Sequence, residues 1–347
     1  MRITFDRAYQ IAQGGDTVSV SGGLYPASDA SAPESDAPAN TIYPASPAKS
    51  SAVTFNCQGN GDVTFDAPNF AFFPGANGVT FTGNCFKFNA VVIGYGGYPA
   101  QTHDITLDGV HMSTIECNGC ANITIKNSDI GAMISCYAPG TSGVASSAIC
   151  NTSDTTYGES YWASHGGSTK ADSTVAFCHY GAAGLVQNIT LDHDTFHDFN
   201  TRDSQHLHIE CLFLWGFNGI TLTNSTFHNC ATYDIFMSTE VTSSNLTLTG
   251  NTFGPPVWDL DETNGTLTGT ERDKDWRDIT VYTQAGSPLT NWQIQGNTFS
   301  HGLMLDTNNV GTPIMNGVTV SGNNLGSNTK CASGVTYQSN TGSGPAC

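Results

Sequence analysis

A short phrase of alternating polar and apolar residues recurs along this chain and limits the folds that are open to it. In each copy an apolar, a polar and an apolar residue follow one another, and a turn and a further apolar residue come next. The turn contains Gly or Asn in every copy except the one at Asn188. The copies start at Gly78, Asp104, Asn122, Asn188, Gly219, Asn245, Asn291 and Gly317. Alternation with period two predicts a short strand, and Gly and Asn tolerate the positive φ that closes it.

The spacing of the copies indicates how these strands are arranged. The second residues of the copies are Val79, Ile105, Ile123, Ile189, Ile220, Leu246, Trp292 and Val318. They lie 26, 18, 66, 31, 26, 46 and 26 residues apart. A step near 26 that is interrupted by larger steps is typical of a solenoid, in which insertions bulge from one side. The larger steps predict loop insertions over residues 137–186 and 254–288.

The balance of charge is strongly acidic and argues against some partners. Lys and Arg number 11 against 29 Asp and Glu, which gives a net charge of −18 for 347 residues. Such a chain offers no basic footprint, so we expect no nucleic-acid partner. Only 12% of the residues are charged and 38 are Gly, which is typical of turn-rich β structure. No apolar run reaches the roughly 18 residues that indicate a membrane-spanning helix, so we expect no membrane span.

The 11 cysteines favour export to an oxidising compartment. We expect disulfides between Cys331 and Cys347, between Cys57 and Cys85, and among Cys136, Cys150 and Cys178. The first residues do not read as a signal peptide. We therefore expect a secreted protein whose numbering begins at a mature end with an added Met.

One pair of cysteines has zinc-like spacing but lacks the rest of a zinc site. Cys117 and Cys120 form a C-x-x-C motif, with no second such motif or His-x-x-x-His partner. For Cys117, Cys136 and Cys211 we predict small stacked core residues instead, because Cys packs as a small apolar side chain.

The start of the chain predicts a helix that caps the solenoid. Phe5, Tyr9 and Ala12 recur at helical spacing, and Gly14 follows as a C-cap of a helix over residues 5–13. With the repeats behind it, this opening resembles the right-handed parallel β-helix proteins of the pectate-lyase-like superfamily. The resemblance extends over nearly the whole chain and implies one all-β domain, residues 1–347, folded as a single-stranded right-handed parallel β-helix.

The resemblance also bears on the ends of the solenoid and on its activity. It implies that the short helix plugs the first coil, and we expect residues 326–347 to cover the other end as a C-terminal tail. The chain lacks the Trp-x-Asp-His strand of pectate lyases and the Asn-Thr-Asp, Asp-Asp and Gly-His-Gly set of polygalacturonases. The fold is therefore expected without an assignment to either enzyme family.

The strand over residues 202–216 is the most unusual and predicts a catalytic site. Because side chains alternate across a strand, we expect His206, His208 and Glu210 to share the solvent face while Cys211 faces the core. Such a titratable triplet is hard to explain by folding alone. The segment 208–210 with the Trp-Gly pair at 215–216 resembles a strand of uncharacterised secreted β-helix proteins.

Alignment of neighbouring coils extends this predicted site. An offset of 26 residues, taken from the copies at Gly219 and Asn245, sets Asp234 beside His208. Neighbouring strands lie about 4.8 Å apart, so the carboxylate would orient the imidazole. The segment 114–117 resembles 208–211, which predicts Glu116 on the same outer face.

We expect a groove along one sheet, walled by the two insertions. The predicted catalytic residues are His208, Glu210, Asp234, His206 and Arg202. The predicted substrate-binding residues are Asp203, Lys170, Tyr161, Trp162, Trp258, Trp276 and Glu116. Trp and Tyr on loops can form stacking platforms for sugar rings, or else anchor the loops to the solenoid. The predicted partner is a polysaccharide.

The residue types favour a polysaccharide lyase. Elimination on a uronic acid needs a base, here His208 oriented by Asp234, and a cation to neutralise the sugar carboxylate. Arg202 or Lys170 could supply that charge, or a Ca²⁺ ion held by Glu210 and Asp234.

Other functions remain open at this point. One alternative is a glycoside hydrolase that pairs Glu210 with Asp234 or Asp203. A second is a glycan-binding or adhesin solenoid without catalysis, for which the His/Glu strand would be superfluous. A third is an ice-binding face of Thr-x-Thr ladders, although charged residues interrupt the second column. The oligomeric state is left open.

Overall fold

The structure is a computed structural model that describes most of the chain. The described residues are 4–26, 40–57, 59, 61–66, 69–94, 98–131, 175–178, 184–199, 210–230, 233–239, 241, 243–254, 260–261, 266–267, 277–283, 288–306 and 314–347. They form one short helix, α1 (Phe5–Ile11), and strands that we number β1 to β31 in chain order. All the described strand pairs are parallel except one small hairpin of β22 (Leu260–Asp261) and β23 (Thr266–Leu267). The described helix has seven residues, too few to cross a membrane.

Eleven of the described strands form one parallel sheet, which we call the first sheet. Its strands are, in spatial order, β1 (Thr17–Val20), β4 (Val53–Cys57), β7 (Asn77–Thr82), β9 (His103–Asp108), β11 (Ala121–Lys126), β14 (Val186–Asp192), β17 (Phe217–Thr223), β20 (Ser243–Thr249), β25 (Leu289–Gln295), β28 (Met315–Ser321) and β30 (Thr336–Gln338). Spatial order follows chain order, so each passage of the chain through this sheet adds the next strand.

The recurring phrase coincides with this sheet, copy by copy. Val79 pairs with Ile105, Ile105 with Ile123, and the pairing continues without a slip to Trp292 and Val318. All eight of these residues are buried. The turn that closes each strand has a positive φ, as predicted, for example at Gly83 and Asn224, and the residue before each of the eight has one as well. The predicted repeat and its register are therefore confirmed.

The other parallel strands form a second sheet that divides into two rows. Row two contains β2 (Gly23–Pro26), β5 (Val63–Asp66), β8 (Phe86–Ile93), β10 (His111–Asn118), β12 (Asp129–Gly131), β15 (Thr195–Phe199), β18 (Thr226–Cys230), β21 (Thr252–Phe253), β26 (Thr298–Phe299), β29 (Asn324–Leu325) and β31 (Thr341–Gly342). Row three contains β3 (Thr41–Ile42), β6 (Asn69–Phe72), β13 (Val175–Cys178), β16 (Leu212–Trp215), β19 (Ile235–Ser238), β24 (Ile279–Tyr282) and β27 (Leu303–Met304). The long strands β8 and β10 belong to both rows.

A two-residue corner joins the first sheet to row two in most repeats. Its first residue has a positive φ, as in Asn127, Asn224 and Gly250. Its second residue is polar and stacks on its counterpart in the next repeat. The residues of this ladder are Ser128, Asp194, Ser225, Asn251, Asn297, Asn323 and Asn340. Each of the first six donates its backbone N–H to the side-chain oxygen of the next, which satisfies a group that the bend would otherwise leave unpaired.

The core lies between the rows and is built from stacked apolar columns. Phe196, Phe227, Phe253 and Phe299 follow one another in row two with ring centroids 4.5, 5.1 and 4.9 Å apart. All four are buried, and aromatic pairs at this distance stabilise a core beyond the area that they bury. The core is therefore continuous from one repeat to the next.

The N-terminal helix packs on the first strands and is shorter than predicted. Thr4 caps it by accepting the Arg7 N–H at 3.0 Å, and it ends at Ile11, with Ala12 in an extended conformation as the C-cap. Gly14 therefore does not cap the helix. It lies against Ser51 instead, two residues before β4, because a Cβ there would come within 2.9 Å of the Ser51 backbone N.

The other predicted boundaries also change. The region 326–347 is more than a tail, because β30 and β31 within it pair in parallel with β28 and β29. The predicted insertion 137–186 contains β13, and the insertion 254–288 contains β24, and both strands belong to row three. These row-three strands carry no copy of the recurring phrase, which is why their position could not be recognised in the sequence.

Four disulfides are formed among the described cysteines. Cys57–Cys85 and Cys331–Cys347 confirm the two specific predictions. Cys117 and Cys211 are buried in the core, as predicted, and both are also bonded, as Cys117–Cys120 and Cys211–Cys230.

The other predicted cysteine pairing stays untested in part. Cys178 is a free thiol whose pKa burial raises to about 12. Cys136 and Cys150 lie outside the described residues. The described chain is thus an all-β protein of large curled parallel sheets, compatible with a solenoid.

Candidate functional site

Most of the predicted site residues lie outside the described residues. These are Arg202, Asp203, His206, His208, Lys170, Tyr161, Trp162, Trp258 and Trp276. They belong to the stretches 132–174, 200–209 and 255–276, and each of these stretches joins a strand of row two to a strand of row three. In all three cases the stretch therefore begins after a strand of row two and ends before a strand of row three, at the corner between these two rows. Their predicted roles stay predictions.

Glu210 and Asp234 are described and are buried. Glu210 is 4% exposed and Asp234 is fully buried, so the prediction that Glu210 faces solvent was wrong. Both residues precede their strands, which begin at Leu212 and Ile235. They therefore lie in the bend between row two and row three, where the alternation of a strand does not apply.

The offset of 26 residues from which Asp234 was predicted beside His208 was also wrong for row three, and His208 itself lies outside the described residues. Leu212 pairs with Ile235, an offset of 23 rather than 26, and the Leu212 N–H donates to the Asp234 carbonyl at 3.0 Å. Asp234 is therefore level with Cys211. The two offsets differ because the link between row three and the first sheet is longer in the second repeat. Ile220, which pairs with Leu246 on the first sheet, comes eight positions after Leu212, whereas Leu246 comes eleven positions after Ile235.

Asp234 belongs to a buried acidic pair with Asp278 of the next repeat. The Ile235 N–H donates to the Asp278 carbonyl at 2.9 Å, and both carboxyls are 0% exposed. Burial raises the pKa of Asp234 well above its usual range, and the Asp278 charge raises it further. Burial also raises the pKa of Asp278, against the hydrogen bonds that its Oδ2 accepts from the His301 and Gly302 N–H groups.

This buried pair stabilises the bend between row two and row three and does not face a substrate. Asp278 holds two backbone N–H groups of the following repeat at 2.8 and 2.9 Å, and burial raises the pKa of Asp234 beside it. Within the part of the chain that the structure describes, no group of three or more His, Cys, Asp or Glu side chains is arranged to hold a metal ion. Ca²⁺ at Glu210 and Asp234 stays a prediction.

Glu116 is exposed, as predicted, but stands in a different column. It is level with Ala176, and through Ala176 with Phe213, in row three. Its Oε1 accepts a hydrogen bond from Asn118 Nδ2 at 2.9 Å. The likeness between residues 114–117 and 208–211 therefore does not correspond to structural equivalence.

A second cluster lies on the outer face of row two and was missed in the sequence. Asp129 Oδ2 accepts a hydrogen bond from His111 Nδ1 at 2.9 Å, and Asp129 Oδ1 accepts one from His197 Nε2 at 2.6 Å. The side chains of His111 and Asp129 are 31% and 43% exposed, whereas that of His197 is 13% exposed. The cluster is thus accessible from solvent, with one imidazole more enclosed than the other.

The carboxylate sets the tautomers of both rings. Burial acts to raise the pKa of Asp129, but the hydrogen bonds and charges of His197 and His111 outweigh it and lower the pKa to about 2. Asp129 is therefore an anion at neutral pH and accepts an N–H from each ring. In the neutral imidazoles His111 Nε2 and His197 Nδ1 then carry the lone pairs. An imidazole oriented by a carboxylate in this way can act as a general base.

Two further groups border this cluster. Lys87 is level with His111 in the preceding repeat, so it stands about 4.8 Å away along the stack. The His228 ring stacks on the His197 ring, with centroids 5.4 Å apart. The cluster, which we call the row-two cluster, therefore combines a cation, an oriented base and a second imidazole: Lys87, His111, Asp129, His197 and His228.

A signal for the row-two cluster was present in the repeat spacing. Asp129 follows His111 by 18 residues, the same step that separates Ile123 from Ile105. The same register, continued past the turn, pairs the two side chains. His197 lies on β15, which ends at Phe199, just before the segment 202–210 for which the site was predicted.

Comparison of the chain with protein-family models, with curated proteins and with solved structures finds no match, so the geometry of the two clusters is what bears on its function.

Proposed function

We propose that this chain is a secreted right-handed parallel β-helix that cleaves a uronic-acid-containing polysaccharide by β-elimination at the row-two cluster. The observation that carries the proposal is the Asp129 carboxylate, which accepts hydrogen bonds from two imidazoles on an exposed sheet face. The large parallel sheets support the solenoid, and the disulfides support export, because such bonds persist in oxidising compartments.

Each requirement of elimination has a residue in the cluster. Lys87 neutralises the sugar carboxylate, which makes the neighbouring C–H more acidic. His111 Nε2 removes that proton, and the electron pair forms a C=C bond while the bond to the glycosidic oxygen breaks. A protonated His197 donates a proton to the leaving oxygen. Asp129 touches no substrate and acts as a positioning residue for both rings.

The hydrolase alternative has weaker support in the same structure. Glycoside hydrolysis needs two carboxyl groups that flank the scissile bond. Glu210 and Asp234 are buried, and Asp129 is engaged by two imidazoles rather than facing a second exposed carboxyl. A binding protein without catalysis would not require an oriented imidazole at all.

The test is a substrate screen with and without Ca²⁺ that reads two signals. Ultraviolet absorbance reports the unsaturated product of elimination, and a reducing-end assay reports any cleavage. We expect both signals with the intact protein, and we expect His111→Ala to lower kcat by about 10²- to 10⁴-fold, the usual contribution of a general base. Lys87→Met should raise KM, because the sugar carboxylate loses its counter-charge.

A matched control is available on the first sheet. His103 Nδ1 and Asp104 Oδ2 form a similar exposed pair at 2.8 Å, and no second imidazole of the described residues bonds to that carboxylate. His103→Ala should leave the rate unchanged. Asp129→Asn should alter the pH profile of kcat, which a purely structural residue would not do.

The alternative outcomes are distinct. Reducing ends without absorbance would replace the lyase by a hydrolase, and equal loss in the His103 and His111 variants would remove the row-two cluster from the mechanism. Binding of the polysaccharide without either product would favour the glycan-binding solenoid.

A further inference from the structure

The outer column of row two continues past the cluster as an uncharged track. Successive repeats pair in register from Lys87 through His111 and Asp129 to Thr195. The column then continues through Thr226, Thr252, Thr298, Asn324 and Thr341, all exposed. We call these five residues with Thr195 the hydroxyl track. Their spacing of about 4.8 Å along the stack follows from the strand separation.

The surroundings of the hydroxyl track are uncharged from Thr226 onwards, whereas the corner before Thr195 carries Asp192, His193 and the buried Asp194. The stretches that hold the other five residues of the track and their corners are residues 224–228, 250–254, 296–300, 322–326 and 339–344, all described. They contain no Asp, Glu, Lys or Arg, and His228 is the one titratable side chain in them. The cation Lys87 stands at the opposite end of the column. Among the described residues of this column, the charge that can bind a carboxylate is therefore confined to one end.

The whole chain makes a continuous polyanion an unfavourable ligand. With a net charge of −18, it repels a polymer that carries a carboxylate on every sugar, unless cations pair with those carboxylates. On the hydroxyl track the described residues offer no such cation. A neutral sugar has hydroxyls that donate and accept hydrogen bonds, and the hydroxyls of Thr do the same.

From this asymmetry we infer that the substrate is a polysaccharide in which isolated uronic acids are separated by neutral sugars. One uronic acid lies at the row-two cluster with its carboxylate on Lys87, and neutral sugars extend along the hydroxyl track. This inference rests on the proposed function and narrows it. A polyuronate would lay further carboxylates over Thr226 and Thr252, where they lose water without gaining a counter-charge.

The first experiment compares two kinds of polymer. Polygalacturonate and alginate carry a carboxylate on every sugar, whereas hyaluronan and gellan separate their uronic acids by neutral sugars. We expect kcat/KM for elimination to be at least tenfold higher on hyaluronan or gellan. A preference for either polyuronate would overturn the inference and leave the proposed function standing. Elimination on none of the four would overturn the proposed function itself.

Charge variants test the track directly. Thr226→Lys with Thr252→Lys should lower KM on the polyuronates by several-fold and lower it less on hyaluronan, which carries a carboxylate on every second sugar only. Thr221→Lys with Thr247→Lys is the matched control, because these residues occupy the same repeats on the first sheet and change the net charge equally. An equal effect of both pairs would show that net charge alone acts, and would overturn the assignment of the track.

Discussion

Asp194 shows how a single residue can carry the pH dependence of this stack. It occupies the buried corner ladder between Ser128 and Ser225, at a position where later repeats have Asn. Its Oδ1 accepts the Ser128 N–H at 2.8 Å, but its Oδ2 is buried without a hydrogen-bond partner among the described residues. Burial raises the pKa of this carboxyl to about 8, so the folded protein retains a proton that the unfolded chain has lost.

We predict that Asp194→Asn stabilises the protein, most strongly at alkaline pH. The pKa of Asp194 is higher in the folded protein than in the unfolded chain. The stability that the protonated carboxyl contributes is therefore fully present below about pH 4 and is lost as the pH rises through about 8. An Asn side chain donates there without titrating, as Asn251 Nδ2 does to the Leu222 carbonyl at 2.9 Å. Urea unfolding across that range should show a falling free energy of unfolding in the natural protein and a flatter one in the variant.

Asp104→Asn is the control for this prediction. Asp104 is half exposed in a ladder with Asn122, whose Nδ2 donates to it at 2.9 Å. Its pKa is lowered by the hydrogen bonds of His103 and Asn122, which outweigh burial. Its stabilising effect is therefore present above the usual pKa of an Asp and is lost as pH falls. Identical pH slopes in the natural protein and Asp194→Asn would contradict our account of the ladder.

At the scale of elements, the corner ladder binds each repeat to the next. Asn297 alone makes several of these bonds, because its Oδ1 accepts from the N–H and Nδ2 of Asn251, and its own Nδ2 donates to the Leu248 carbonyl and to Asn323 Oδ1. These groups are buried, so removing the side chain leaves more than one of them unsatisfied.

We predict that Asn297→Ala lowers the free energy of unfolding by about 3–5 kcal/mol, at one to a few kcal/mol for each buried group left unpaired. Asn297→Ser should recover part of the loss, since Ser225 Oγ accepts the Asp194 N–H at 3.1 Å from the equivalent position. Thermal unfolding of the three proteins measures both effects. Equal stability of the Ala and Ser variants would mean that the side-chain oxygen adds nothing to the ladder.

The elements also divide into those that could be predicted from the sequence and those that could not. The first sheet was predictable because period-two alternation and positive-φ residues such as Asn122 and Asn188 are local signals, repeated in every copy. Row three was not, because its register depends on the number of residues between β19 and β20, which no local pattern reports. That three-residue difference sets Asp234 level with Cys211.

The candidate site was harder to predict than the fold for a related reason. Glu210 alternates with its neighbours in the sequence, but it lies in a bend, so alternation gave the wrong face. The row-two cluster consists of one or two polar residues on each of several strands. Only the register between strands brings His111 and Asp129 together, and that register is a property of the whole stack.

At the scale of the whole molecule, the chain is a stack in which each repeat contacts chiefly its neighbours. The strand order of the first sheet follows the chain, and the stacked Phe column passes through row two without a break. The N-terminal end is closed by Phe5 of α1, whose ring centroid lies 5.3 to 5.7 Å from those of five aromatic residues. These are Tyr25, Phe55, Phe65, Phe70 and Phe81.

Because each repeat contacts chiefly its neighbours, we predict that a destabilising substitution at one end of the stack lowers stability at that end only. Phe5→Ala should cost about 3–5 kcal/mol of local stability, the usual effect of truncating a buried Phe. Amide exchange should then accelerate in β1 and β4 but not in β25 and β28. Phe253→Ala, in the interior of the Phe column, should instead accelerate exchange on both sides of β21. If Phe5→Ala accelerates exchange equally in every strand, the stack unfolds as one cooperative unit, and a loss at any repeat would then reach the row-two cluster.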